Sequence, residues 1–292
     1  MRKKKSFPFK NELIALSVVA ICLTVIFWVQ RTYFEPSGIS TAESSAASET
    51  LSGSKQTDTS TYSAAPVSTA GEKETENSTT ASNEKVVYLT FDDGPTDNTS
   101  RILDALDSGG VKATFFVIHS YDGCEAQIRE IHEHGHCVAL HSYSHRYNIY
   151  RSTEAYFEDL QKISDLVYEA TGVRSKLIRF PGGSSNTVSK KYCEGIMTTL
   201  TRAVTEKGYV YFDWNWDSLD AAAVTNDVST IKKYATRPIG QSKYVILLMH
   251  DAYSKTTTPQ ALPEIITAYK KAGYRFDVLS ADSYCYHHTV NN

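Results

Sequence analysis

VVYLTFDDGP, Val86 to Pro95, is the stretch on which the reading of this chain turns. Its first four residues are a short apolar run, the pattern of a strand buried on both faces. The run then ends in two adjacent carboxylates, Asp92 and Asp93, and turns at once on Gly94-Pro95. A carboxylate at the edge of a core is costly unless something pairs with it. The pair therefore caps the next helix, binds a cation or moves protons.

Outward from this strand the chain alternates. The strand-like runs ATFFVI, CVALHS, KLIRF, YVYFDW, YVILLMH and YRFDVLS follow in order. Between them lie segments with apolar residues at helical spacing. The clearest is EAYFEDLQKISDLVYEATG, with Phe157, Leu160, Ile163 and Val167 on one face and a stop at Gly172. Alternation with continuous apolar strands predicts a parallel sheet covered by helices. About seven strands suit an α/β fold of distorted (β/α)7-barrel type better than an open two-sided sheet. Chemistry in such folds gathers at the carboxyl ends of the strands. Asp92 and Asp93 end the first strand, and His141 and His145 follow the third. Arg179 ends the fourth, Asp217 and Asp220 follow the fifth, and His250 ends the sixth. The groups best able to do chemistry thus share one predicted rim.

HSYSH places His141 and His145 four apart. On a helical turn that spacing brings both imidazoles to one face, as a metal requires. Two histidines and one carboxylate make a common open zinc set, and a first-strand aspartate can complete it. The other aspartate is then free to take a proton from a metal-bound water. Arg179 would keep that base ionised, His250 would protonate a leaving group, and a fifth-strand aspartate would hold His250 in its charged form. Each residue also has a plain structural reading: a turn at Asp93-Gly94-Pro95, a surface ion pair for Arg179, a cap for His250. A second histidine group, His132, His134 and His136, lies at a helix end, where satisfying the last carbonyls is the expected role. His287 and His288 read as solvated surface, and His119 as either.

The formal charge of −3 gives no reason to expect a nucleic-acid partner. The 292 residues divide by composition into four segments: a basic stretch 1–12, an apolar stretch 13–30, a Ser/Thr-rich stretch 31–84 and a domain 85–292. LIALSVVAICLTVIFWV, at ~1.5 Å per residue, spans ~25 Å, just short of a ~30 Å hydrocarbon core. Arg2, Lys3, Lys4, Lys5 and Lys10 precede it and only Arg31 follows closely. The expectation is an uncleaved, single-pass transmembrane helix with its N-terminus in the cytoplasm and the rest outside; a cleaved signal peptide is the competing reading. Residues 31–84 carry too little apolar surface to offset their ordering entropy and are expected to form a disordered tether with a reach of ~40 Å. Cys124, Cys137, Cys193 and Cys285 either pair outside the cell or serve as small buried hydrophobes.

In order, TFDDGP, HSYSH, RFPGG (Arg179 to Gly183), DSLD (Asp217 to Asp220) and LMH (Leu248 to His250) resemble the five motifs of the NodB-homology polysaccharide deacetylases, carbohydrate esterase family 4. The resemblance spans nearly the whole domain. It implies Asp92 as general base, Asp93 with His141 and His145 as metal ligands, His250 as general acid tuned by Asp220, and Arg179 as partner of Asp92. It implies Pro181, Gly182 and Leu248 in the substrate site, and Zn2+ or another divalent ion such as Co2+ as cofactor. The family often has a Tyr where this chain has Gly182 and a Trp where it has Ala221; Trp214, Trp216, Tyr143, Tyr147 or Tyr253 are the aromatics available to rebuild the sugar site. The implied reaction is removal of acetyl groups from a glycan, most simply from N-acetylglucosamine or N-acetylmuramic acid in peptidoglycan, by a monomer held at the cell membrane. Chitin-like oligomers, exopolysaccharide or xylan are alternative substrates. An inactive glycan-binding domain is the alternative of another class.

Overall fold

Strand β1, Lys85–Asp92, is the axis of the fold, here described from a computed structural model covering residues 84–292. The helix expected over 13–30 and all but the last residue of the expected tether lie outside the described residues. Among the described residues no helix is long and apolar enough to cross a membrane. The chain continues through α1 (Thr99–Ser108), β2 (Thr114–Val117), α2 (Glu125–Glu133), β3 (Cys137–Leu140), a 3-10 turn (Tyr147–Arg151), α3 (Thr153–Thr171) and β4 (Leu177–Ile178). A second 3-10 turn (Val188–Lys191), α4 (Ile196–Glu206), β5 (Val210–Tyr211), β6 (Trp216–Asp217), α5 (Val228–Ala235), β7 (Tyr244–His250), α6 (Thr258–Lys271) and β8 (Tyr274–Phe276) complete it.

Every strand pairing is parallel, in the order β5-β4-β3-β2-β1-β7-β6, as the alternation predicts. β8 pairs with the first residues of β1 on the side where β2 takes its last residues. The seven-strand expectation needs one correction. YVYFDW, Tyr209 to Trp214, is a strand only over β5, which pairs with β4; a further strand, β6, follows it and pairs with β7 at the opposite edge. The curled parallel sheet is therefore open between β5 and β6. Asp213 and Asn215 cause the break. Asp213 is buried and accepts from Ser184 N. The Asn215 side chain accepts from Ile246 N and donates to Tyr244 O, in place of a backbone ladder.

Period-two alternation sorts β1 into two faces. Val87, Leu89 and Phe91 pack with helix residues such as Ile102, Leu103 and Ile128. Val86 and Tyr88 face a smaller apolar cluster with Phe116, Phe212 and Ile246. Thr90 and Asp92 continue that inner row toward the carboxyl end, so the row changes from apolar to polar as it nears the rim. Helix α3 follows its sequence pattern. Ser152 caps its start by accepting from Ala155 N, Gly172 ends it at φ 74°, and Leu160, Ile163 and Val167 are buried. Each such side chain contributes ~1.5–3 kcal/mol of burial energy. The four cysteines of the described region are free thiols.

Candidate active site

The register of the sheet sets Asp92 beside His250 on β7 and Phe116 on β2. Asp92 is 3% exposed, and its Oδ1 accepts from Arg179 Nη1 at 2.8 Å. Arg179, arriving from the end of β4, is wholly buried. It also donates to Thr90 Oγ1, Phe212 O and Asp213 O, and its guanidinium lies 4.1 Å over the Phe116 ring. Its planar fork meets several acceptors at fixed angles, which an ammonium cannot do. The surface-ion-pair reading of Arg179 does not hold.

Asp93 leaves the line of the strand at φ 73°. The next residue has to be glycine, since a Cβ at Gly94 would sit 2.2 Å from Asp251 Oδ2. Asp251 is itself buried, which pushes its carboxyl up to about 8 although Thr99 and Thr96 donate to it. His141 and His145 converge on Asp93. Asp93 Oδ1 is 3.1 Å from His145 Nε2 and 3.5 Å from His141 Nε2. The route to this convergence differs from the expected helical turn: residues 141–146 form no helix. Instead a bend, with His145 at φ 48°, folds the segment back. His145 N donates to Ser142 Oγ, and Tyr143 N and Ser144 N donate to the Asp159 carboxylate of α3.

The donor set fits a divalent cation. His141 Nδ1 lies 2.7 Å from Arg179 O; a carbonyl only accepts, so that nitrogen carries the proton and Nε2 keeps its lone pair. Burial lowers the His141 pKa further below its ordinary value. Asp93 Oδ1 is buried and receives no aligned hydrogen bond, although two imidazole nitrogens stand beside it. Burial opposes ionisation of Asp93, but His145, then His141 and His250, outweigh it and hold the carboxyl well below its usual range. Three ligand atoms lie within 4.8 Å of one another, the only such group among the described residues.

Across the rim, His250 Nδ1 lies 2.8 Å from Asp220 Oδ1. Asp220 is fully buried, and its Oδ2 accepts from His250 N and Thr258 Oγ1. Burial alone would lower the His250 pKa. The Asp220 bond and charge, then Asp93 and Asp92, overcome it and bring the imidazole to about 9. Asp217 accepts from Leu219 N, and burial raises its carboxyl. The non-glycine residues at positive φ among the described residues are Asp93, His145 and Leu219, one in each of the first, second and fourth motifs. Strain of that kind persists only where surroundings enforce it.

The fold thus brings Asp92, Asp93, His141, His145, Arg179, Asp220 and His250 onto one rim. Leu248, 4% exposed, lies on the inner row of β7, with Thr90 and Asp217 as its register partners. Pro181 is buried, its carbonyl accepting from Tyr150 Oη, and Gly182 is exposed at φ 77°. Trp214 abuts Gly183, Tyr147 abuts Gly182, and Trp216 is tied to Ser242 Oγ. Sequence reasoning missed Thr90, Asp159 and Thr258. Thr90 was findable as the residue two before Asp92 on the same strand face. Nothing marked Asp159 or Thr258, whose partners lie in other elements.

The other histidines depart from expectation. His134 pairs with Asp107 at 2.6 Å, and His136 is buried with Nδ1 accepting from Ala113 N, so neither side chain serves the end of α2. His287, though exposed, stacks on Tyr211 at 3.7 Å and the half-buried His288 lies 2.8 Å from Trp214 O, so they fasten the C-terminal segment to the chain at β5 and just after it. His119 stacks on Tyr143.

Comparison with known proteins agrees with this geometry. Residues 79–196 match the polysaccharide deacetylase family. A peptidoglycan-N-acetylglucosamine deacetylase of Bacillus cereus is 30% identical over 214 residues, covering 68% of this chain and 71% of the relative. The crystal structure of the catalytic domain of a peptidoglycan N-acetylglucosamine deacetylase from Eubacterium rectale superposes with a TM-score of 0.69 at 42% identity, over 71% of this chain and 94% of that one. A family 4 carbohydrate esterase from Streptomyces lividans, solved with acetate, gives 0.57 at 26% identity, over 67% and 93%. The chain belongs to the polysaccharide deacetylases, the NodB-homology enzymes of carbohydrate esterase family 4.

Proposed function

We propose that the protein removes N-acetyl groups from N-acetylglucosamine or N-acetylmuramic acid in peptidoglycan, with a divalent cation, zinc by preference, held by Asp93, His141 and His145. The observation that carries this is the convergence of two imidazole Nε2 atoms on a buried carboxylate oxygen, with an arginine-held carboxylate on one side and an aspartate-held imidazole on the other. When bound, such a cation supplies a water of pKa near ~7 and polarises the acetyl carbonyl.

The chain's own residues do the rest. Asp92 accepts the proton of the attacking water, and Arg179, by holding Oδ1, fixes which oxygen is free. Gly182 N–H, which finds no acceptor among the described residues, donates to the oxygen that gains charge. His250 keeps its Nδ1 proton on Asp220, which leaves Nε2 to deliver a proton to the departing amine. Leu248 lines the floor on which the acetyl methyl rests.

The apolar stretch 13–30 supports anchoring in the cell membrane with the domain 85–292 outside, and the polar stretch 31–84 gives it reach toward the wall. The names of the relatives support the peptidoglycan substrate. The test is mass spectrometry of purified wall fragments after treatment with the protein, with and without a chelator. Loss of acetyl mass from amino sugars, abolished by chelation, is expected. Unchanged fragments, with acetate released only from acetylated xylan or another glycan, would overturn the substrate assignment.

A further inference from the structure

Gly182 and Tyr147 form a fitted pair. A Cβ at residue 182 would lie 2.5 Å from Tyr147 Oη and 3.4 Å from Tyr147 Cζ. The hydroxyl thus occupies the space a side chain at 182 would take, beside the exposed turn that follows Arg179. Its position is built rather than incidental. Tyr147 opens the 3-10 turn two residues after His145, and in such a turn residues three apart share a face. The residue three on is Tyr150, fully buried, whose hydroxyl donates to Pro181 O at 2.9 Å. The two rings lie 5.9 Å apart. Tyr150 therefore pins the turn against the 181–183 loop and aims Tyr147 along it. The Tyr147 ring is half-buried. Yet the hydroxyl makes no hydrogen bond to any described residue, whereas Tyr150 and Tyr269 both have partners. A phenol on the rim of a polar cleft without a protein partner leaves its donor open to water or to a ligand, unlike Tyr156 Oη, which also lacks a partner but is sealed in the core.

We propose that Tyr147 is a substrate-positioning residue: its hydroxyl donates a hydrogen bond to an oxygen of the acetylated hexosamine, and position 182 is glycine so that the hydroxyl can reach it. The inference rests on the deacetylase reading above. Loss of one such bond weakens binding about five- to tenfold without touching the proton transfers.

Purified full-length protein is assayed for acetate release across concentrations of tetra-N-acetylchitotetraose and of solubilised peptidoglycan strands. Four forms are compared: wild type, Tyr147→Phe, Gly182→Ala and the double variant. Tyr147→Phe is expected to raise KM about five- to tenfold with kcat within about twofold. Its melting temperature stays unchanged, because no protein bond is lost. Gly182→Ala is expected to raise KM in the wild-type background by displacing the hydroxyl. In the Tyr147→Phe background it adds less, because only the strain at φ 77° and the Asn186 contact, common to both, remain. A wild-type KM in Tyr147→Phe overturns the proposal, as does a fall in kcat at constant KM, or an equal Gly182→Ala effect in both backgrounds. A wild type that releases acetate from neither glycan overturns the functional reading and this inference with it. An active wild type with an indifferent Tyr147→Phe overturns only the inference.

Discussion

Two groups of histidines stand close in sequence and do opposite things. His141 and His145, beyond β3 at the carboxyl ends of the strands, turn their Nε2 atoms toward one carboxylate oxygen. His134 and His136, before β3 at the other end, each take a separate partner, Asp107 and Ala113 N. Spacing along the chain does not separate the two cases. What does is the fate of the second ring nitrogen. At the carboxyl end a backbone carbonyl fixes the His141 tautomer and leaves a lone pair facing inward. At the amino end His136 spends its lone pair on a backbone N–H, and its buried Nε2 finds no partner at all. What marks the ligands is that the spare nitrogen also faces other ligand atoms: Asp93, His141 and His145 are the one such group among the described residues, and His134, with Nδ1 on Asp107, belongs to none.

The contrast breaks most visibly on substitution. His141→Ala should lower acetate release by roughly three orders of magnitude or more and bring bound metal near zero by elemental analysis. His134→Ala should leave both unchanged; metal lost from that variant instead would reverse the assignment. Asp92→Asn should cost about 10²–10⁴ in kcat while metal content holds. That result separates the base from the ligand within one DD pair, and full activity in the variant would merge them again.

Stability sharpens the same distinction. Arg179→Met leaves Asp92 buried without its cation and should destabilise the fold by ~3–5 kcal/mol in denaturant unfolding. His136→Ala leaves only the Ala113 N–H unmet, at ~1–3 kcal/mol, with activity retained. Equal costs would mean that the Arg179–Asp92 pair is no more than packing.

The smallest effect is a shift in pH profile. His250 serves as an acid only while protonated, and its pKa of about 9 keeps it so at neutral pH. Activity should therefore be present below that value and fall as pH rises through it. A cation in the neighbouring site repels the imidazolium and draws the falling limb downward. Asp220→Asn removes the partner that raises this pKa and should move the limb further down, toward ~6.5. A limb that does not move with Asp220→Asn would detach the two residues. The same sign governs stability. The ionised His250–Asp220 bond contributes fully below the unfolded value of ~6.5 and is lost as pH passes about 9.

Much of this was legible in the sequence, and the reasons are specific. The inner row of β1 and the rim residues follow from period two and from the rule that parallel strands point their carboxyl ends at the chemistry. VVYLTF and YVILLMH therefore read correctly as strands ending on one rim; that they pair, setting Asp92 beside His250 rather than opposite it, only the structure shows. The helix faces followed from apolar spacing, as in α3. YVYFDW misled because its aromatics read as a full strand, whereas only Val210–Tyr211 pair and the next strand begins beyond it at Trp216. The signal against it was polar: Asp213 and Asn215 use their side chains where a strand would use backbone, and the chain crosses there from one sheet edge to the other. HSYSH reached the right pairing through the wrong local structure, since Ser142 and Asp159 bend a loop where a helical turn was expected. The tail histidines read as solvated surface, and His287 is exposed; its stacking on Tyr211 is a long-range contact that local polarity does not encode.

The central claim is that Asp93, His141 and His145 share one divalent cation beside Asp92. Crystals grown with zinc and measured at the zinc absorption edge test it directly. The account predicts a single anomalous peak about 2.0–2.2 Å from Asp93 Oδ1 and from the Nε2 atoms of His141 and His145. Zinc bound instead among His132, His134 and His136, with no density at Asp93, would contradict it.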